Sequence, residues 1–164
     1  NVVRGVPMGK RRNGAVGGLI SAVLSGAIAS AACAPDRIDI RTGDGPRSYQ
    51  IEIADTTERR AHGLMFREEM AQDHGMLFVY PSAREVAFWM KNTPLPLDII
   101  YINQRGVICS IAANTPPFSE TAIPSNCAAQ TVLEVNAGEA AASGLRIGAP
   151  VRHPAVANPV WACE

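Results

Sequence analysis

Apolar and polar positions follow a period of two along most of the chain beyond residue 37. Ile38 and Ile40 alternate with Asp39 and Arg41. After the turn-forming stretch Thr42-Gly43-Asp44-Gly45-Pro46, Tyr49, Ile51 and Ile53 alternate with Gln50 and Glu52. That pattern predicts a strand hairpin with one buried face. Met76-Leu77-Phe78-Val79-Tyr80 is an unbroken apolar run of strand length, expected of a strand covered on both faces. The densest patterning lies in residues 86–102, where two β-prone runs flank a connection interrupted by Pro94 and Pro96. It reads as two adjacent strands, with Lys91 opposite Asp98 and Trp89 facing Ile100. Asn103-Gln104-Arg105-Gly106 then forms a tight turn, with Gly supplying a positive φ, into a strand over Val107 to Ala112. Gln130 to Asn136 predicts a further strand, and Leu145 to Val151 a closing turn and strand.

Helical signals are short. Asp55-Thr56-Thr57-Glu58 offers a capping side chain and a first-turn acid, and Gly63 a stop. Ala137 to Gly144 predicts a second short helix. The sum is an α+β domain of mainly antiparallel β structure, a compact curled sheet or barrel-like body with two short helices covering its open ends. Between Asn114 and Ala129 runs a loop rich in Pro, Ser, Thr and Asn whose single aromatic residue is Phe118. Loops of that length in a compact domain are usually functional or pinned.

The first 33 residues read differently. Lys10-Arg11-Arg12 precede an uncharged run from Ala15 to Ala32 that ends in small residues, the pattern of a secretory signal. Cleavage after Ala29-Ser30-Ala31 gives a soluble exported protein. Ser30-Ala31-Ala32-Cys33 resembles a lipobox and gives a protein anchored through lipid on Cys33. The Arg11-Arg12 pair lacks the apolar residues that normally follow a twin-arginine motif. The expected organisation is a leader over 1–33, one β-rich domain over 34–152 and a loosely held tail over 153–164. The place of action is the periplasm, in solution or anchored on the periplasmic face of the membrane.

Of the 164 residues, 15 are basic and 15 acidic; four of the basic ones precede Cys33, which leaves the rest of the chain at a formal −4. Beyond the leader no basic cluster is present, so nucleic acid is not an expected partner. Lys91 is the single lysine beyond the leader, a compact ammonium in a chain that otherwise uses Arg. In an oxidising compartment Cys109 and Cys127 can bridge, with Cys163 a competing partner. The cysteines and histidines form no zinc pattern, and no cofactor is expected.

Ala54-Asp55-Thr56, Gly63-Leu64-Met65-Phe66-Arg67, Gly75-Met76-Leu77-Phe78, Phe88-Trp89-Met90-Lys91-Asn92-Thr93-Pro94 with Pro96-Leu97-Asp98, Val132-Leu133-Glu134-Val135 and Gly148 together resemble the signature blocks of domain-of-unknown-function family 192. The resemblance covers about Tyr49 to Val151. It implies a small β-rich domain, often exported, and carries no activity and no catalytic residues.

Three arrangements of side chains bear on function. Lys91 and Asp98 read as a cross-strand ion pair or, with Trp89 and Asn92, as a polar-ligand site of the kind that binds a cell-envelope saccharide, with Ser119-Glu120 as a lid and Glu134 beside it. Asp98 and Glu134 are also the one candidate carboxylate pair for a hydrolase, which requires them to face each other across a cleft. Met65, Met70, Met76 and Met90, with His74, offer soft ligands for Cu(I), although Met in apolar runs ordinarily fills core space. No nucleophile motif accompanies any serine. The sequence thus points to a non-catalytic binding module, with the hydrolase and the Cu(I) protein as alternatives.

Overall fold

The computed structural model describes residues 32–164. The expected leader lies outside them apart from Ala32 and Cys33. Among the described residues the strands are β1 (Arg37–Thr42), β2 (Gly45–Ala54), β3 (His74–Arg84), β4 (Ala87–Phe88), β5 (Leu97–Asn103), β6 (Ile108–Thr115), β7 (Ile123–Pro124), β8 (Ala129–Asn136) and β9 (Val151–Arg152). The helices are α1 (Thr57–His62) and α2 (Glu139–Ala142). Seven strands form one sheet in the order β6-β5-β8-β3-β2-β1-β9, and β4 and β7 form a separate pair.

All neighbours in the large sheet are antiparallel except β2 and β3. A parallel pair needs a crossover, and α1 supplies it. The helix starts where Thr56 accepts the Arg59 N–H, and it ends at Gly63, whose φ of 52° favours a residue without Cβ. A Cβ there would also meet the Phe78 ring at 3.2 Å.

The sheet curls into a half-barrel. Its two edges come together at one end, where Val107 bridges Pro150, the Ile108 N–H donates to the Ala149 carbonyl and the Val151 N–H donates to the Gly106 carbonyl. The concave face is filled by one apolar cluster drawn from both edges and the centre, including Ile38, Ile40, Leu77, Ile100, Ile108, Leu133 and Val151, with Ala140 of α2 and Leu145 packed in. The convex face carries a second cluster of Met76, Phe78, Ile99, Tyr101 and Val132, covered by Leu64, Val86 and Met90. Phe78, Phe88 and Tyr101 meet edge to face there, at 4.9 and 5.9 Å between ring centres.

The expected hairpin over 86–102 does not form. β4 is two residues long and pairs with β7, whereas β5 lies between β6 and β8. Val86 and Met90 are buried because their segment lies across the convex face, not because it is a central strand. The tail is also held more firmly than expected. His153 and Val156 are buried, Cys163 is bonded to Cys33, and Trp161 lies under the guanidinium groups of Arg41 and Arg152 at 4.5 and 4.4 Å. The Cys33 sulfur is therefore occupied, and one sulfur cannot form both a disulfide and the thioether of a lipid anchor.

Candidate functional site

Three segments meet on the convex face: the turn after α1, the crossing segment from Phe88 to Thr93, and the long loop before β8. Their backbones are stitched together. The Phe66 N–H donates to the Asn92 carbonyl at 2.7 Å, the Phe118 N–H to the Thr93 carbonyl at 3.1 Å, and the Met90 N–H to the Ser119 carbonyl at 2.7 Å. The long loop is also pinned from below. Cys127 is bonded to Cys109 of β6, the Tyr101 hydroxyl donates to the Ile123 carbonyl, and Ser125 exchanges hydrogen bonds with the backbone of Val86 and Cys127.

Phe66, Asn92 and Phe118 all have positive φ, at 64°, 53° and 60°. This conformation is unfavourable for a residue with a bulky side chain, and such strain collects at binding sites. Phe66 and Phe118 are also 69% and 63% exposed, and Trp89 is 48% exposed. Three aromatic residues, each on a different segment, are thus presented to solvent from one tied platform.

Beneath the platform lies a narrow crevice of about 40 Å³, lined in part by Arg60, His62, Phe88, Trp89, Lys91 and Glu134. A space of that size holds roughly one or two waters or one small polar group. Glu134, on β8 between Met76 and Ile99, is 4% exposed; among the described residues its carboxyl makes no hydrogen bond or ion pair, and what surface it keeps opens on the crevice. Burial without compensation pushes its pKa up to about 8, so the group is a neutral acid at neutral pH. Lys91 holds its ammonium 5.1 Å from the centre of the Trp89 ring. A second, broad cleft of about 710 Å³ runs along the other side of α1, with Arg67 paired to Glu52 in it. Hydrogen bonding to Arg67 holds the Glu52 carboxyl below its usual range.

The structure brings together Trp89, Lys91 and Glu134 of the residues nominated from sequence. It separates Asp98 from them. Asp98 lies fully buried across from Val135, and Glu134 across from Ile99, so the two carboxylates point to opposite faces of the sheet. Asp98 accepts from the backbone N–H groups of Asn114 and Ala140 at 2.7 and 2.8 Å. It neither pairs with Lys91 nor faces Glu134, which removes both the ion pair and the two-carboxylate hydrolase. Asn92 shapes the platform through its backbone and directs its amide toward the Met65 sulfur. The Ser119 carbonyl accepts from the Met90 N–H, so its segment lies against the crossing segment, and Glu120 is solvent-exposed. Met76 and Met90 belong to the convex apolar cluster, and Met90 accepts from the Thr115 hydroxyl. They therefore fill core space, not a copper site. His74 is engaged with Asp73.

Sequence reasoning missed Phe66 and Phe118. A lone aromatic residue in a polar loop, as at Phe118, was the available signal.

The sequence model of the family described as DUF192, Uncharacterized ACR, matches residues 38–153. A crystal structure from Sinorhizobium meliloti 1021, of a protein described as a candidate transcription regulator, is 38% identical with a TM-score of 0.71; the alignment covers 76% of this chain and 98% of that one. A protein of unknown function from Novosphingobium aromaticivorans DSM 12444 is 36% identical with a TM-score of 0.69, covering 71% of this chain and 83% of its own. None of the curated proteins compared matches.

Proposed function

The chain belongs to the uncharacterised DUF192 family, and from that premise we propose that it is a non-catalytic binding module of the cell envelope that takes a polar ligand of saccharide type at the Glu134 crevice. The observation that carries this reading is the largely buried Glu134 carboxyl, without a hydrogen bond among the described residues, on the lining of a water-sized crevice with Trp89 and Lys91 beside it. A carboxyl on such a lining, with no protein donor to meet it, is open to a hydrogen bond from a ligand group. Exposed aromatic faces beside a few convergent polar groups suit sugars, whose rings have apolar faces and hydroxyl edges.

Export rests on the leader pattern, cut after Ala29-Ser30-Ala31 so that Cys33 is kept, and on two disulfides, Cys33–Cys163 and Cys109–Cys127, which persist in oxidising compartments. The bonded Cys33 favours the soluble exported form over the lipid-anchored one. The scattered arginines and formal −4 balance beyond the leader favour no nucleic-acid partner, whatever the Sinorhizobium relative does.

Calorimetric titration of the protein with a panel of soluble cell-envelope and plant oligosaccharides tests the site. Binding of at least one member, weakened about tenfold or more by Trp89→Ala, is expected. No heat from any member overturns the reading. Fusion of the full chain to a reporter active only after export tests the compartment.

A further inference from the structure

We propose that the crevice selects acidic sugars, admitting the carboxylate of a uronic acid unit while neighbouring units of the oligosaccharide lie on Phe66, Trp89 and Phe118. This rests on the saccharide reading and names the sugar class.

The argument is one of charge and space. The crevice has room for a carboxylate but not for a sugar ring, so the ring must stay outside, where Trp89 of the lining is half exposed and Phe66 and Phe118, exposed, are tied to the neighbouring backbone of Asn92 and Thr93. Its basic lining groups are Arg60, His62 and Lys91, and its one acidic group is Glu134. A lining with two fixed cations and a carboxyl that burial keeps protonated attracts an anion. Protonated Glu134 then acts as a donor, its O–H meeting one carboxylate oxygen of the ligand. Lys91 supplies the opposite charge by moving off the Trp89 ring. Arg60 is less available, because it donates to the Asp55 and Val79 carbonyl oxygens and lies over Tyr80.

The groups that face Glu134 are few. α1 brings Arg60 and His62, the crossing segment brings Lys91, and β3 and β5 bring Tyr80 and Tyr101, whose hydroxyls titrate above their usual range, mainly through burial. Ionisation of Glu134 as pH rises through about 8 replaces a donor with a like charge and expels the ligand. Glu134→Gln keeps a donor that does not titrate.

The test is calorimetry on the disulfide-bonded protein with three probes: a galacturonate oligomer, the same oligomer methyl-esterified, and a chitosan oligomer. The galacturonate is expected to bind at least about tenfold tighter than the ester, as the loss of a charge-assisted hydrogen bond implies. Its affinity should fall between pH 7 and pH 9 in the wild type and hold in Glu134→Gln. Equal binding of acid and ester overturns the proposal and leaves the saccharide reading standing. Preference for chitosan overturns it in favour of an ammonium ligand. Binding of none of the three overturns the proposal, and silence across the wider panel overturns the saccharide reading with it.

Discussion

Asp98 and Glu139, buried on the concave side of the sheet, and Glu134, buried on the convex side, are treated in opposite ways. On the concave face Asp98 accepts two backbone N–H groups, and Glu139 accepts from Tyr49, Arg47 and the Ser143 hydroxyl. Both serve to fix α2 and the strands around it. On the convex face Glu134 is equally buried and has no donor among the described residues. Nearby, two phenylalanines are held in a backbone conformation that bulky residues avoid, and three aromatic rings remain in water. Burial alone therefore does not distinguish scaffold from site. For these three carboxyl groups the difference is whether a protein donor meets them.

The sharpest way to break that contrast is to remove the matched carboxylate. Asp98→Ala strands two N–H groups and frees the start of α2, at an expected cost of about 5 kcal/mol, read as a lower denaturation midpoint. The unmatched carboxyl should behave in the reverse sense. The folded pKa of Glu134 is raised from an ordinary 4.5 to about 8. Its contribution to stability is thus fully present below about pH 4.5 and is lost as pH rises through about 8. Glu134→Gln removes this dependence and should be the more stable protein at pH 9, by an amount on the order of 4 kcal/mol relative to the difference at pH 4. Melting curves of both proteins across that range decide it; parallel curves would mean that Glu134 is solvated or paired.

What the sequence made legible was local. Turn and cap residues located the β1–β2 hairpin, α1 between Thr56 and Gly63, the Asn103–Gly106 turn and α2, each within a few residues of where it lies. What failed was non-local. The partner of Ala87–Phe88 is Ile123–Pro124 on a distant loop, and nothing in the composition of either names the other. The same apolar run that looks like a strand also suits a segment lying across an apolar face. The burial of Glu134 left no mark in the sequence, because a strand covered on both faces shows no alternation from which to tell an inward carboxyl from an outward one. The pairing of Cys163 with Cys33 could not be chosen over its rivals from spacing, so the tail read as loose.

The loop that carries Phe118 separates the two faces at a smaller scale. The Cys109–Cys127 bond closes a loop spanning 18 residues on the convex face. Replacing both cysteines with serine should cost about 3 kcal/mol, since the unfolded chain regains that loop's freedom. If the loop is a wall of the site, the variant should also bind oligosaccharide more weakly. Retained affinity would show that the stitches to Met90 and Thr93 suffice.

The smallest expected effect is the most discriminating. Phe118 is exposed and has a φ of 60°, so its ring contributes little burial while its backbone carries strain. Phe118→Gly relieves the strain at the expense of more freedom in the unfolded chain, and the net gain should be at most about 1 kcal/mol. Where a strained residue serves only the fold, replacing it should leave binding unchanged. Where it is held in that conformation to present an aromatic face, the glycine variant should melt higher and lose affinity for the oligosaccharide. A rise in stability together with a loss of binding would show that the convex face retains strain for its ligand, and a change in stability with binding unchanged would assign Phe118 to the scaffold after all.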